Sequence, residues 1–423
     1  MERHPQLLWP RRRAQMSRHL AAMEALAAEL GLECGPVDFE QVPESFMLEI
    51  AIYGLPVRMR HWSFGLRYLR QMTARHMGQS RIYEVMFPGA PCRAFLADSN
   101  TEAENALVGA HVLGHADFSR RNALLRGFTD PGGSGILERS AAHARLVERA
   151  ALLHGQAAVD TVLDAALALE AQVDVHAGVP ERDLLLFIAR NAPELQDWER
   201  GILLAVREEV CYFHPVHACQ IMNEGWACYW HARLLREAGF LAAPLYLEAI
   251  RVHSDIVRPC GDGRLALQLN PYHLGYALWD HIIERRGLAE ARRICRDEDD
   301  FGFIRNYLDR DVAAQLQLFA YMQDRDGAAW LASRDLPALH EAILAPRYNY
   351  GAPSIRVAGV GAGGRLALAH DHDCDGRGLA QPQAERVLDY IARVWRRPVE
   401  LHTVDQRGAA LCLQASPQPD AVH

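Results

Sequence analysis

There is no lysine among the 423 residues, so all 45 basic side chains are arginine. Codon bias in a GC-rich genome explains this without a selected arginine surface. Long runs of one charge sign are also missing. The net charge is −8, and the basic residues are interspersed with 53 acidic ones with no long basic stripe, which argues against a nucleic-acid footprint. None of the nine cysteines is spaced C-x-x-C, which argues against a four-cysteine zinc site, and their odd number and scatter argue against a disulfide framework. Reduced thiols in a cytoplasmic compartment are expected. No stretch approaches the roughly 18 consecutive apolar residues of a membrane span. The basic triplet Arg11-Arg12-Arg13 leads into a helical pattern rather than an apolar signal segment. Repeats and low-complexity segments do not stand out. What remains is an ordinary globular composition, half of it hydrophobic.

Apolar periodicity predicts an α+β chain that is mostly helical. Residues 14–31 form an amphipathic helix ending at Gly31. Tyr83–Phe87 and Cys92–Leu96, separated by Pro-Gly-Ala-Pro, form a β-hairpin. Thr101 followed by Glu104 makes a capping box for a helix reaching about Arg126. Helices continue over 137–172. Asp183 caps another that ends before Pro193, and a further helix spans 195–213, broken at His214-Pro215. More helices follow at 217–238, 241–252, 271–285, 288–296, 310–323 and 335–343. After Arg347 the pattern changes to ββαββ. The expected division is therefore a helical domain over 1–345 and a small α/β domain over 346–423.

His111 and His115 lie four apart on one helix, which places both imidazoles on one face. Such a pair can hold one metal ion, as in the H-E-x-x-H helices of zinc peptidases. The residues between are Val112, Leu113 and Gly114, so the glutamate that acts as base in those enzymes is absent. Two polar core histidines would satisfy the same spacing. Glu224 shifts the balance. It sits mid-helix beside Trp226, Ala227, Tyr229 and Trp230, and a carboxylate buried there requires a partner or a cation. Gluzincin peptidases take a third ligand from a downstream helix written N-E-x-x-A, and Asn223-Glu224-Gly225-Trp226-Ala227 fits that pattern. The expected metal ligands are thus His111, His115 and Glu224, holding a divalent ion, zinc first. Cys228 and His231 share the face of Glu224.

The base must then come from elsewhere, with His253, His231 and Asp117 as the candidates. His253 could equally be a fourth ligand or a helix C-terminal cation. Asp117 and Arg120 could orient an imidazole. Glu104 is explained by its capping role. His61 and Trp62 could line a pocket but read more readily as core aromatics. The run from His370 to Cys374 resembles a metal run but reads more readily as a solvated turn, and Asn270-Pro271 reads as a helix entry. Gly361 to Gly364 joins two strands and is no nucleotide loop.

Several strings together resemble the SpoVR (stage V sporulation protein R) family in order and spacing. They are His61-Trp62-Ser63-Phe64-Gly65, Ala110-His111 through His115 with Asp117-Phe118, Met222 through Ala227 with Tyr229-Trp230-His231, and Asn270-Pro271-Tyr272 with Leu274-Gly275. The resemblance runs from about residue 15 to residue 405. It implies a link to formation of the spore cortex, a peptidoglycan layer, or to stress physiology. It also implies a PrkA-type serine kinase and a YeaH/YhbH-type protein as partners. The chain departs from the family pattern at Phe118-Ser119 and at Arg120-Arg121-Asn122. The departures leave the expected ligands intact and alter the surface beside them.

Two functional readings follow. One is a metal-dependent hydrolase of amide or peptide bonds, with peptidoglycan or its precursors as substrate class. The other is a non-catalytic assembly or regulatory factor acting with the kinase. A di-iron carboxylate bundle is disfavoured, because no Glu-x-x-His pair occurs at these histidines.

Overall fold

The computed structural model describes residues 9–53, 61–64, 83–128, 135–176, 178–258, 269–318, 320–323, 329–333, 335–375, 378–405 and 407–417. In chain order the elements are α1 (Trp9–Glu29), β1 (Val37–Val42), α2 (Glu44–Tyr53), β2 (Glu84–Phe87), β3 (Cys92–Ala97), α3 (Glu102–Arg121), α4 (Gly135–His154), α5 (Gln156–Ala168) and α6 (Leu184–Asn191). There follow α7 (Asp197–Ala218), α8 (Gln220–Glu237), α9 (Ala243–Ile256), α10 (Pro271–Asp297), α11 (Asp300–Tyr307), α12 (Arg310–Gln315), β4 (Ala320–Gln323), β5 (Ala329–Ser333) and α13 (Leu336–Leu344). The last are β6 (Ile355–Val360), β7 (Leu366–His370), α14 (His372–Asp375), α15 (Gln381–Trp395), β8 (Val399–Val404) and β9 (Ala410–Ala415). No described helix is long and apolar enough to cross a membrane.

The chain gathers into two compact units, each built from three segments. The first contains Met1–Ile52, Arg67–Gly135 and Pro215–Ala345, and the second Tyr53–Leu66, Ile136–His214 and Pro346–His423. The first unit ends with Ala345 and the second resumes at Pro346. The tail, however, shares its unit with residues 136–214, which the consecutive division assigned to the helical domain.

In the first unit α3 is buried from Ala103 through Ser119. A helix enclosed on all sides must have every polar group on it partnered. Its start is the expected capping box: Glu104 N–H donates to Thr101 Oγ1 at 3.2 Å, and Thr101 N–H donates to Glu104 Oε2 at 2.6 Å. It packs most extensively on α8, and also on α1 and α9. Two glycine contacts bring the helices together. A Cβ on Gly114 would stand 2.7 Å from the Cα of Ala227, and one on Gly225 would stand 2.2 Å from the carbonyl carbon of Gly275. Thus α3 meets α8, and α8 meets α10, backbone against backbone.

The hairpin β2–β3 forms as expected, but within a three-stranded sheet in which β1 runs parallel to β3. The expected break at His214-Pro215 is displaced. Pro215 lies inside α7, and the chain leaves helical geometry at Cys219 (φ −118°). A proline removes one N–H and crowds the preceding turn, yet here the helix persists for about one more turn. The start of α8 is fixed from outside: buried Asp300 accepts from the N–H groups of Ile221 and Met222 at 2.8 and 2.9 Å. The helices expected at 271–285 and 288–296 meet at Gly287, whose φ of 79° only glycine adopts freely. The helix expected over 310–323 stops at Gln315. Gln317 turns left-handed, and Ala320–Gln323 pairs antiparallel with β5.

The second unit carries the expected ββαββ tail as a sheet of order β6-β7-β8-β9, with β7 and β8 parallel and the other pairs antiparallel. Between the parallel strands runs α15, which packs on β8 and β9 and also against α5. Asp183 caps α6 as expected, accepting from Leu186 N–H at 2.9 Å.

Candidate metal centre

The first unit brings His111, His115 and Glu224 together. His111 Nε2 and His115 Nε2 each lie 3.6 Å from Glu224 Oε2. The crossing at Gly114 and Ala227 makes this possible, because it lets the imidazole face of α3 reach the helix that carries the carboxylate. A fourth group, which sequence reasoning missed, is Glu84 on β2, with Oε1 3.7 Å from His111 Nε2. Glu84 pairs opposite Leu96 on β3. The end of that hairpin is tied to the start of α3 by Asn100 Nδ2, which donates to Tyr83 O at 3.0 Å. Glu84, His111 and His115 each offer one ligand atom within 4.8 Å of one another. The imidazole side chains are 4% and 10% exposed, while the two carboxylates keep 19% and 20%, so solvent reaches the cluster from the carboxylate side.

The outer ring nitrogens are held. His115 Nδ1 lies 2.9 Å from Asn223 Oδ1, so it carries the proton and leaves Nε2 bare. His111 Nδ1 lies 3.0 Å from His231 Nδ1, and His231 Nε2 lies 2.6 Å from His253 Nδ1. These contacts are satisfied in sequence if each ring donates outward. The Tyr272 hydroxyl, at the start of α10, stands beside the Glu224 carboxylate, whose charge with burial pushes the tyrosine pKa well above its usual value. Cys228, His111 and His231 form a second group whose possible ligand atoms lie within 4.8 Å of one another.

Burial and the cluster's own charges set the protonation states. Burial works against charge on His111, but Cys228, Glu224 and Glu84 outweigh it and raise its pKa well above the usual value. His115 is pushed down to about 4 by burial and by the charge on His111. Burial and the surrounding imidazoles hold His231 well below the histidine range, and His253 is lowered for the same reasons. Burial raises Glu84. For Glu224 burial pushes upward, but His115 and His111 prevail and lower it.

The expected bases lie elsewhere than at the bare donor atoms. His231 is fully buried with both ring nitrogens engaged, and His253 stands two imidazoles from the carboxylates. Asp117 is a correction. Its carboxylate accepts from Trp226 Nε1 (2.9 Å), from Glu33 N–H (2.6 Å) and from Arg121 Nε (3.0 and 3.1 Å). It ties α3 to α8 as a buried strut, on the other side of the helix from the histidines. Arg120 likewise turns away, donating to Cys34 O at 2.9 Å. In the second unit His61 and Trp62 both contact Asp164 Oδ1, at 3.1 and 2.9 Å. His370 is buried against Thr403, and Asp371 pairs with Arg356.

Whether these residues suit a metal can be judged from Glu224. Its Oε2 is buried and has no hydrogen-bond partner among the described residues. The two Nε2 atoms at 3.6 Å are too distant for an N–H···O bond. Two donors at about 2.0–2.1 Å from one tetrahedral ion stand roughly 3.3–3.4 Å apart. The cluster is therefore close to the spacing an ion would impose, and its nitrogen and oxygen donors suit zinc and its neighbours.

Comparison with known proteins agrees with the motif reading. The family model described as SpoVR like protein matches residues 11–179 and 176–335. The chain is 25% identical to the uncharacterized protein YcgB of Escherichia coli (strain K12), over 94% of each chain. No solved structure matches.

Proposed function

This chain belongs to the SpoVR like protein family, and on that premise we propose that it is a metal-dependent hydrolase whose ion is held by His111, His115 and Glu224 on the gluzincin-like helix pair α3 and α8. The observation that carries this reading is the buried, unpartnered Glu224 Oε2 set 3.6 Å from both Nε2 atoms. At His115, whose Nδ1 proton is given to Asn223, a bare carboxylate oxygen faces a bare Nε2, which is repulsive, and a cation between them reverses the sign; at His111 an ion would replace the ring's own proton. When bound, such an ion supplies a Lewis acid and a water whose pKa falls to about 7. The chain's own part is positioning. Asn223 fixes the ring of His115, His231 fixes the ring of His111, and Tyr272 steadies the Glu224 carboxylate. Amide or peptide bonds are the substrate class that zinc-type hydrolysis suits, and the family's association with the spore cortex points to peptidoglycan or its precursors.

Mass-spectrometric metal analysis of the purified full chain tests this. About one ion per chain is expected, lost in His111→Ala and Glu224→Ala. A metal-free wild type, or unchanged metal in both variants, removes the reading. The second reading, a regulatory factor working with a PrkA-type kinase and a YeaH/YhbH-type protein, draws support from buried Val112, which stands where zinc peptidases place their glutamate. Glu224→Gln distinguishes the two: full activity in cells despite lost metal favours the regulatory factor.

A further inference from the structure

We propose that Glu84 is a fourth side-chain ligand of the same ion, so that the sheet as well as the two helices is fastened to the centre. This rests on the metal reading above. The Glu84 carboxylate stands 3.7 Å from His111 Nε2, within 0.1 Å of the separation at Glu224. It also groups with both imidazoles at ligand-like distances. Chance placement is a weak explanation, because β2 has no freedom to present another side chain. Its register on β3 sets Glu84 opposite Leu96, and both Ala97 N–H and Asn100 Nδ2 donate to the neighbouring Tyr83 carbonyl, at 3.1 and 3.0 Å. A carboxylate steered to the Nε2 edge of a buried histidine needs positive charge there, and a metal ion would supply it in place of the imidazole proton.

The resulting set is two imidazoles and two carboxylates, all nitrogen and oxygen donors, with no thiolate among them. The carboxylate side of the cluster, where each side chain keeps about a fifth of its surface, is the side from which a substrate would approach. Glu84 thereby differs from the outer residues Asn223 and His231, which touch a ligand's far nitrogen.

The test uses full-length protein stripped with a chelator and titrated with Co(II), following both affinity and the visible d–d spectrum. Wild type should bind one Co(II). Glu84→Gln should bind at least about tenfold more weakly, with shifted bands. Glu84→Asp keeps the charge and shortens the reach. A ligand role predicts that it too shifts the bands, whereas a purely electrostatic role predicts a wild-type spectrum. Circular dichroism on each apo-protein checks that the fold is retained. Glu84→Gln with wild-type affinity and spectrum, while His111→Ala binds nothing, overturns this proposal and leaves the three-ligand centre standing. A wild type that binds no Co(II) removes both.

Discussion

Replacing Gly225 by alanine sets two effects against each other. Helix propensity alone favours alanine in the middle of α8 by about 1 kcal/mol. The added methyl, however, would lie 2.2, 2.4 and 2.6 Å from the C, Cα and O atoms of Gly275. Carbon atoms in contact sit about 3.5–4.0 Å apart. The obstacle is backbone, so no side chain can swing aside, and α8 and α10 would have to separate by more than about 1 Å. Overpacking of this kind costs about 1–3 kcal/mol and sometimes more, and it should exceed the propensity gain. A net loss of up to about 2 kcal/mol is expected, read as a lower urea midpoint with unchanged slope. The separation would also draw Tyr272 on α10 from Glu224, so metal affinity should fall with stability. Gly239→Ala is the control, because nothing lies within 4 Å of its added methyl. A Gly225→Ala protein as stable as wild type would refute the close crossing on which the geometry of the site depends.

Asp117→Ala should cost about 3 kcal/mol, because it leaves the Trp226 Nε1–H, the Glu33 N–H and the Arg121 Nε–H without their acceptor, although the Arg121 guanidinium keeps Glu33 and the Gly31 carbonyl. Metal stoichiometry in the folded fraction should stay at the wild-type value, and loss of metal from intact fold would show Asp117 to belong to the centre. In chelator-treated protein the two ligand histidines bear on stability in opposite directions. His115, lowered to about 4, gives stability that is full above the unfolded value near 6.5 and is lost as pH falls through about 4, an effect of at most about 3 kcal/mol. His111, raised well above its usual value, gives stability that is full below about 6.5 and is lost as pH rises through its folded pKa. Metal-free protein should thus unfold at the highest denaturant concentration near pH 6.5, and bound metal should flatten the alkaline side. A midpoint that rises steadily between pH 5 and 8 without metal would contradict these assignments.

Much of the centre was legible because composition made it conspicuous. The His111–His115 spacing gives one helical face, and a glutamate among tryptophans has few bland explanations. Thr101 and Glu104 announce the start of α3 locally. Glu84 was not legible, because its inward aim depends on strand register and on the tie from Asn100 to Tyr83. A polar residue at the head of a strand gives no such sign in sequence. Asp117 misled for the opposite reason: proximity in sequence to His115 says nothing about which side of the helix it occupies. The glycines at 114, 225 and 275 were visible within the motif strings, but their role exists only where two helices cross. Pro215 shows the limit of a local rule, since α7 passes through it and the chain breaks at Cys219.

The interleaved segments of the second unit bear on any attempt to dissect the protein. The buried face of α5, with Val159, Val162 and Leu163, lies in the unit whose sheet and α15 come from beyond residue 346. Trimming the chain at 345 would leave that face without its cover and expose it to water. Loss of function after such a cut would therefore report a damaged neighbour as readily as a missing docking surface. Point substitutions on the outer face of the tail are the cleaner probe.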